Sequence, residues 1–305
     1  MNFLIRCEDA MMFVICKDVK QLWPLPSWFT VAVIPPPFHS SLLVSPPLTM
    51  PDASSSHQTS LGRCLCVITG ASRGLGRAMA REVCGLMKPG SVLLLVARSE
   101  TLLQELKEEL RGLTGTAQPA VRCVAVDLSA AGGVNEAVEV ARQEAGTDPD
   151  HVLLINNAGS LGDISKFSSF SDLNEVNSYL SLNVSSALAL TAGMLKVFPS
   201  RPGLRWSVVN ISSLFAVQAL PNWALYCTAK AARKMMFSVL ADEEPNVKVL
   251  SYSPGPMDTE MQKDIQRLTG IKHHLIPCKE PAAKLMKLLL VNEFASGSHL
   301  DFFTA

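Results

Sequence analysis

The stretch Thr69-Gly70-Ala71-Ser72-Arg73-Gly74-Leu75-Gly76-Arg77 decides the fold. It follows at once on an apolar, β-branched run at 64–69 and opens a segment, 75–87, whose apolar residues recur at helical spacing. Glycines let the backbone turn sharply and approach an anion, and the unpaired amides and positive dipole end of the next helix attract a phosphate. Strand, glycine turn and helix in that order predict a cradle for a dinucleotide pyrophosphate, built by Gly70, Ser72, Arg73, Gly74, Leu75 and Gly76.

Outward from the cradle the alternation repeats. Candidate strands at 92–97, 121–126, 152–156, 207–211 and 247–253 alternate with helical patterns such as 100–111 and 228–243. Runs that are apolar throughout, such as 92–97, suit a sheet covered on both faces. The fold class read from this is α/β: a single Rossmann-like, doubly wound parallel sheet with helices on both faces and ligands at the carboxyl ends of its strands.

The second strand ends in Ala97-Arg98-Ser99, where a site preferring NAD usually carries a carboxylate for the ribose 2′-hydroxyl. Arg98, with Ser99 beside it and Arg73 in the glycine turn, matches a 2′-phosphate instead, so NADPH/NADP is favoured over NAD. Asp127 and Leu128 end the third strand and Asn157 the fourth, placing all three as cofactor contacts. After the fifth strand comes Ser212-Ser213, and thirteen residues past Ser213 stands Tyr226 in Tyr226-Cys227-Thr228-Ala229-Lys230. Tyr and Lys four apart share a helix face. The expectation is that the Lys230 ammonium lowers the Tyr226 pKa and bonds the nicotinamide ribose, while Ser213 holds a substrate carbonyl and Tyr226 gives it a proton.

Composition narrows the partners. In 305 residues, 27 Lys and Arg balance 27 Asp and Glu, so no net field draws the molecule to nucleic acid or an anionic membrane. The eight cysteines include no C-x-x-C pair, which points to reduced thiols and a cytoplasmic setting. Residues 1–60 read as an irregular or disordered Pro-rich extension and 61–305 as the catalytic domain, with Met50 a plausible alternative start. The extension has no Lys, Arg, Asp or Glu between Gln21 and Pro51, yet seven prolines from Pro24 to Pro47 interrupt any spanning helix, so no membrane is expected. His273, His274 and Cys278 predict no metal, since adjacent histidines do not readily chelate one ion together.

The glycine turn, Asn156-Asn157-Ala158-Gly159, an Asn, a Ser and Tyr226-x-x-x-Lys230 together resemble the short-chain dehydrogenases/reductases. The resemblance runs from about residue 61 to the C-terminus and implies a catalytic tetrad of Asn183, Ser213, Tyr226 and Lys230. In it, Asn183, on a helix over 177–196, holds a water that relays protons to Lys230. Stretches at 154–163, 223–227, 243–247, 254–262 and 296–302 resemble more narrowly the branch of that family that reduces side-chain ketones of pterins. That implies a pterin substrate bound by Ser213, Tyr226, Gly255 and Asp301, the last through the amino-pyrimidine edge. It also implies Met257, Asp258, Thr259, Glu260, Met261 and Gln262 along the nicotinamide half of the cofactor, and a homodimer. The chain departs from that branch in its N-terminal extension and in a short segment at 263–278, expected as a lid. Two alternatives stay open: a reductase of non-pterin ketones, and an NADP-binding module without turnover.

Overall fold

The computed structural model describes residues 2–7, 10–15, 30–33, 59–114 and 119–304. The chain divides into two units, residues Met1–Ser55 and Ser56–Ala305. In the first, β1 (Asn2–Cys7) pairs antiparallel with both β2 (Ala10–Ile15) and β3 (Thr30–Val33). The stretch expected to be irregular thus carries a small sheet in its proline-free parts, as the lack of an N–H on proline would dictate. Its Pro-rich remainder and Met50 lie outside the described residues.

The second unit carries β4 (Cys64–Thr69), α1 (Gly74–Cys84), β5 (Val92–Ala97), α2 (Glu100–Thr114), β6 (Ala120–Ala125), α3 (Ala131–Gln143) and β7 (His151–Asn156). It continues through α4 (Leu173–Leu180), α5 (Ser186–Val197), β8 (Arg205–Ile211), α6 (Ala224–Glu243), β9 (Val247–Ser253), α7 (Glu260–Thr269), α8 (Lys279–Val291) and β10 (Ser298–Asp301). The sheet order is β10-β9-β8-β7-β4-β5-β6, and every neighbouring pair is parallel. From β4 the chain winds outward through β5 and β6, then returns to the other side of β4 at β7. That reversal opens a crevice beyond the carboxyl ends of β4 and β7.

Alternate strand residues feed two cores, because successive side chains point to opposite faces. Cys64, Cys66 and Ile68 of β4 pack with Met79, Val83, Leu103, Leu106 and Leu285 on one side. Leu65 and Val67 pack with Val134, Leu190, Met194 and Phe237 on the other. Every residue of β4, β5 and β7 is buried, as central strands of a two-sided sheet require.

One element departs from the regular pattern. The helix predicted over 177–196 is continuous over Leu173–Val197, but a π-turn at Ser181–Ser185 interrupts it between α4 and α5. By length and composition this helix is apolar enough to cross a membrane. Here α5 packs against α3, and the π-turn and α4 pack against α6.

Candidate active site

The crevice has a volume of about 1390 Å³ and is lined by residues from the glycine turn, the ends of β5, β7, β8 and β9, the start of α6, α7 and the C-terminal segment. It exceeds the roughly 300–1,000 Å³ of a site for one drug-sized ligand, so it has room for a dinucleotide and a second molecule.

At the cradle, Gly70, Ser72, Arg73, Gly74, Leu75 and Gly76 all line the crevice. Gly76 admits no side chain: a Cβ there would lie 2.1 Å from the Gly70 carbonyl oxygen. Asn157 also lines the crevice, but its amide is spent on the turn, donating to the Thr69 (2.8 Å) and Gly70 (3.2 Å) carbonyls. The Thr69 hydroxyl accepts from the Asn157 and Ala158 amides, so the ends of β4 and β7 are stapled together. These bonds assign Asn157 to holding the cradle's shape.

Arg73 and Arg98 are exposed on the crevice wall, and among the described residues neither forms an ion pair. Arg81 and Arg77, two turns and one turn into α1, both pair with Glu109, whose carboxyl they hold below its ordinary range. Two guanidiniums at the cradle mouth that form no ion pair among the described residues fit a doubly charged phosphate. Ser99 and Leu128 line the same wall; the Ser99 hydroxyl accepts from Leu102 N at the start of α2. Asp127 does not join them. Its carboxylate turns away to accept from the amide (2.9 Å) and hydroxyl (2.7 Å) of Ser129, a local turn that also lowers its pKa.

On the reaction side, β8 delivers Ser212 and Ser213, and α6 delivers Tyr226 and Lys230; all four line the crevice. The Tyr226 ring meets Trp223 and Phe215 edge-on, at 5.6 and 6.2 Å between centroids. Lys230 Nζ donates to the Ile211 carbonyl (2.9 Å) and lies 5.6 Å from the Tyr226 ring centroid. The electrostatics correct the expectation from sequence. Burial raises the Tyr226 pKa, opposed first by Ser213 and then by the Arg233 guanidinium. Lys230 is itself pushed down to about 7, by burial and then by Arg233, so its ammonium is only partly present at neutral pH.

Asn183 is buried in the π-turn, and its side chain is fully engaged within the protein. Oδ1 accepts from Ser160 N (2.8 Å), while Nδ2 donates to Ser160 Oγ (3.0 Å) and the Tyr179 carbonyl (2.9 Å). The amide therefore orients Ser160, a crevice residue, with both of its N–H bonds committed.

The far wall comes from the C-terminus. Register pairs Asp301 with Ser253, and the Ser253 hydroxyl donates to Asp301 Oδ2 at 2.8 Å. Phe303 N donates to Oδ1 at 3.0 Å, so the carboxylate is held in one orientation. Gly255 has φ +76°, and a Cβ there would meet the Phe303 ring at 3.0 Å, which explains a glycine beside the substrate space. Met257, Asp258, Thr259, Glu260, Met261 and Gln262 all line the crevice; Thr259 caps α7 by accepting from Gln262 N. The segment expected as a lid forms most of α7 and brings Ile271 and His273 to the same space. Sequence reasoning missed Ser212, whose buried hydroxyl has no partner among the described residues, and also Ser253 and Arg233. Only Arg233 left a signal, a charge at a buried helical position two turns past Tyr226.

Residues 65–269 match the family model of the short chain dehydrogenases. The chain belongs to the short chain dehydrogenase family. Like other members of that family it is an oxidoreductase. This short chain dehydrogenase is 48% identical over 260 residues to sepiapterin reductase of Rattus norvegicus, covering 80% of this chain and 97% of that one. It is 48% identical over 259 residues to sepiapterin reductase of Xenopus laevis, with the same coverage of 80% and 97%. Among solved structures it shares its fold with a short chain dehydrogenase from Shigella flexneri 2a str. 301 complexed with NADP. That likeness has a TM-score of 0.67 at 24% identity and covers 81% of this chain and 99% of that one.

Proposed function

We propose that this short chain dehydrogenase is an NADPH-dependent reductase of pterin side-chain ketones, sepiapterin and 6-pyruvoyl-tetrahydropterin, acting in tetrahydrobiopterin formation. The observation that carries this reading is one crevice that holds Tyr226 and Ser213 on one wall and the Asp301 carboxylate on another. The identity to two sepiapterin reductases supports the substrate, and the unpaired Arg73 and Arg98 support a 2′-phosphate on the cofactor.

When bound, the reduced dinucleotide supplies a hydride to the ketone carbon. Asp301 accepts hydrogen bonds from the amino-pyrimidine edge and orients the ring system. Ser213 donates to the ketone oxygen as negative charge builds there. Tyr226, kept protonated by its raised pKa, gives that oxygen the proton that completes the alcohol. Lys230 keeps N–H bonds free, beyond the one to Ile211, for a ribose hydroxyl. Asn183 takes part by fixing Ser160.

The enzyme works as a homodimer in the cytoplasm. Leu188 on α5 and Met235 on α6 are each more than half exposed and give these helices an apolar outer face suited to a second copy. Free thiols at six cysteines among the described residues suit a reducing setting.

The test follows oxidation of NADPH and of NADH with sepiapterin. Consumption of NADPH well above NADH, abolished in Tyr226→Phe, is expected. Asp301→Leu should raise the KM for sepiapterin by about ten- to a hundredfold while a small aryl diketone is reduced as before. An unchanged KM for sepiapterin in Asp301→Leu would move the reading to a reductase of non-pterin ketones, which the apolar cluster of Leu161, Phe215, Leu220, Trp223 and Ile265 beside Tyr226 would suit.

A further inference from the structure

Arg233 is 1% exposed, and among the described residues its guanidinium forms no ion pair with a carboxylate. Nε donates to Asn210 Oδ1 (2.8 Å), Nη1 to the Ala158 carbonyl (3.0 Å) and Nη2 to the Asn156 carbonyl. Taking a cation out of water is costly, and even buried ion pairs can often be replaced by apolar groups of similar volume without loss of stability. A permanent charge in this place needs a reason other than stability.

Its neighbours supply one. Asn156 and Asn210 face each other in the β7–β8 register, and Ala158 lies in the turn that lines the crevice. Arg233 stands one turn past Lys230 and two past Tyr226 on α6, so the three share a face. One side chain joins the ends of two strands to the helix that carries both reacting groups.

We infer that Arg233 is a positioning residue for proton transfer: it clamps the ends of β7 and β8 to α6 beneath Tyr226 and Lys230, and sets a fixed positive charge under that pair. This rests on Tyr226 as the proton donor. Groups facing Tyr226 are Ser213 after β8, Cys227, Lys230 and Arg233 on α6, and Tyr179 on α4. Of these, Arg233 favours the phenolate of Tyr226 and the neutral amine of Lys230. Burial lowers its own pKa, but a guanidinium does not give up its proton within a protein, so the charge persists through the range in which the phenol titrates.

Ketone reduction needs the protonated phenol, so activity falls as pH rises through the Tyr226 pKa, and removing the charge should move that fall to higher pH. Arg233→Met should lower kcat by about tenfold or more with KM for NADPH and ketone little changed, and shift the alkaline limb upward. Arg233→Lys, which has fewer donors and whose buried amine, like that of Lys230, is neutral where the phenol titrates, should recover part of kcat while the limb still moves upward. A folded Arg233→Met with the parent's kcat and limb overturns the inference, as does a lowered kcat with an unmoved limb. If Arg233→Met fails to fold, Arg233→Lys decides: reduced kcat with the limb moved upward supports it, and the parent's kcat or an unmoved limb overturns it. Ultraviolet titration of the phenolate absorbance that Tyr226→Phe removes reads the charge without turnover and should shift upward in the variant lacking it, Arg233→Met, or Arg233→Gln where Arg233→Met does not fold. A parent that reduces no ketone would sink the proposed function, while this titration still judges Arg233: an unmoved phenolate overturns the inference.

Discussion

Tyr226 and His151 show how burial, more than neighbouring charge, sets the behaviour of single groups in this chain. His151 sits at the start of β7 with Nε2 on the Ser207 hydroxyl (2.9 Å) and Nδ1 beside the Leu61 carbonyl and Arg205. Burial and then Arg205 push its pKa down to about 3 from 6.5. Above pH 6.5 folded and unfolded chains are both neutral at this ring; below it only the unfolded chain takes the proton. Stability is therefore lost as pH falls from 6.5 toward 3, by on the order of a few kcal/mol from this one group. Urea midpoints measured across that window should drop with acid, and His151→Gln, which cannot bind the proton, should flatten the slope. The motif residues Ser213, Tyr226 and Lys230 were legible because their spacing along the chain is their signature. Asp127, Asn157 and Asn183 were legible as residues but not in what their side chains do. Asn157 and Asn183 are held by groups that strands and turns far apart in sequence bring near, whereas Asp127 is taken up by Ser129, two residues on.

Among the elements, the β4–α1 junction is the least tolerant. Gly76→Ala would drive a methyl into the Gly70 carbonyl and the Asn157 amide, opening the staple between β4 and β7. Dinucleotide binding, followed by titration of intrinsic fluorescence, should weaken by about a hundredfold, and the melting temperature should fall by several degrees. An unchanged affinity would mean that the turn has another way to close. Strands at 64–69, 92–97 and 247–253 match their predicted limits because apolar, β-branched runs bounded by turn residues have no competing reading. β10 was not predicted as a strand: four half-buried residues at the sheet edge carry little periodicity, and only pairing with β9 makes them a strand. The π-turn was hidden because one extra residue per turn barely disturbs an apolar helical pattern.

For the whole molecule, α6 holds Tyr226 and Lys230 toward the crevice, and α5 and α6 both carry exposed apolar side chains on their outer faces. Met235→Glu should convert a dimer to a monomer in light scattering after size-exclusion chromatography and leave the single-chain melt close to that of the parent. A parent that is already monomeric at micromolar concentration would refute the dimer. The C-terminal tail has a different significance. Asp301, Phe303 and Thr304 are crevice wall, so the last residues of the chain are part of the site itself. A bulky label carried on these residues would crowd the space meant for the ketone, so a reporter for kinetics belongs on a surface away from them.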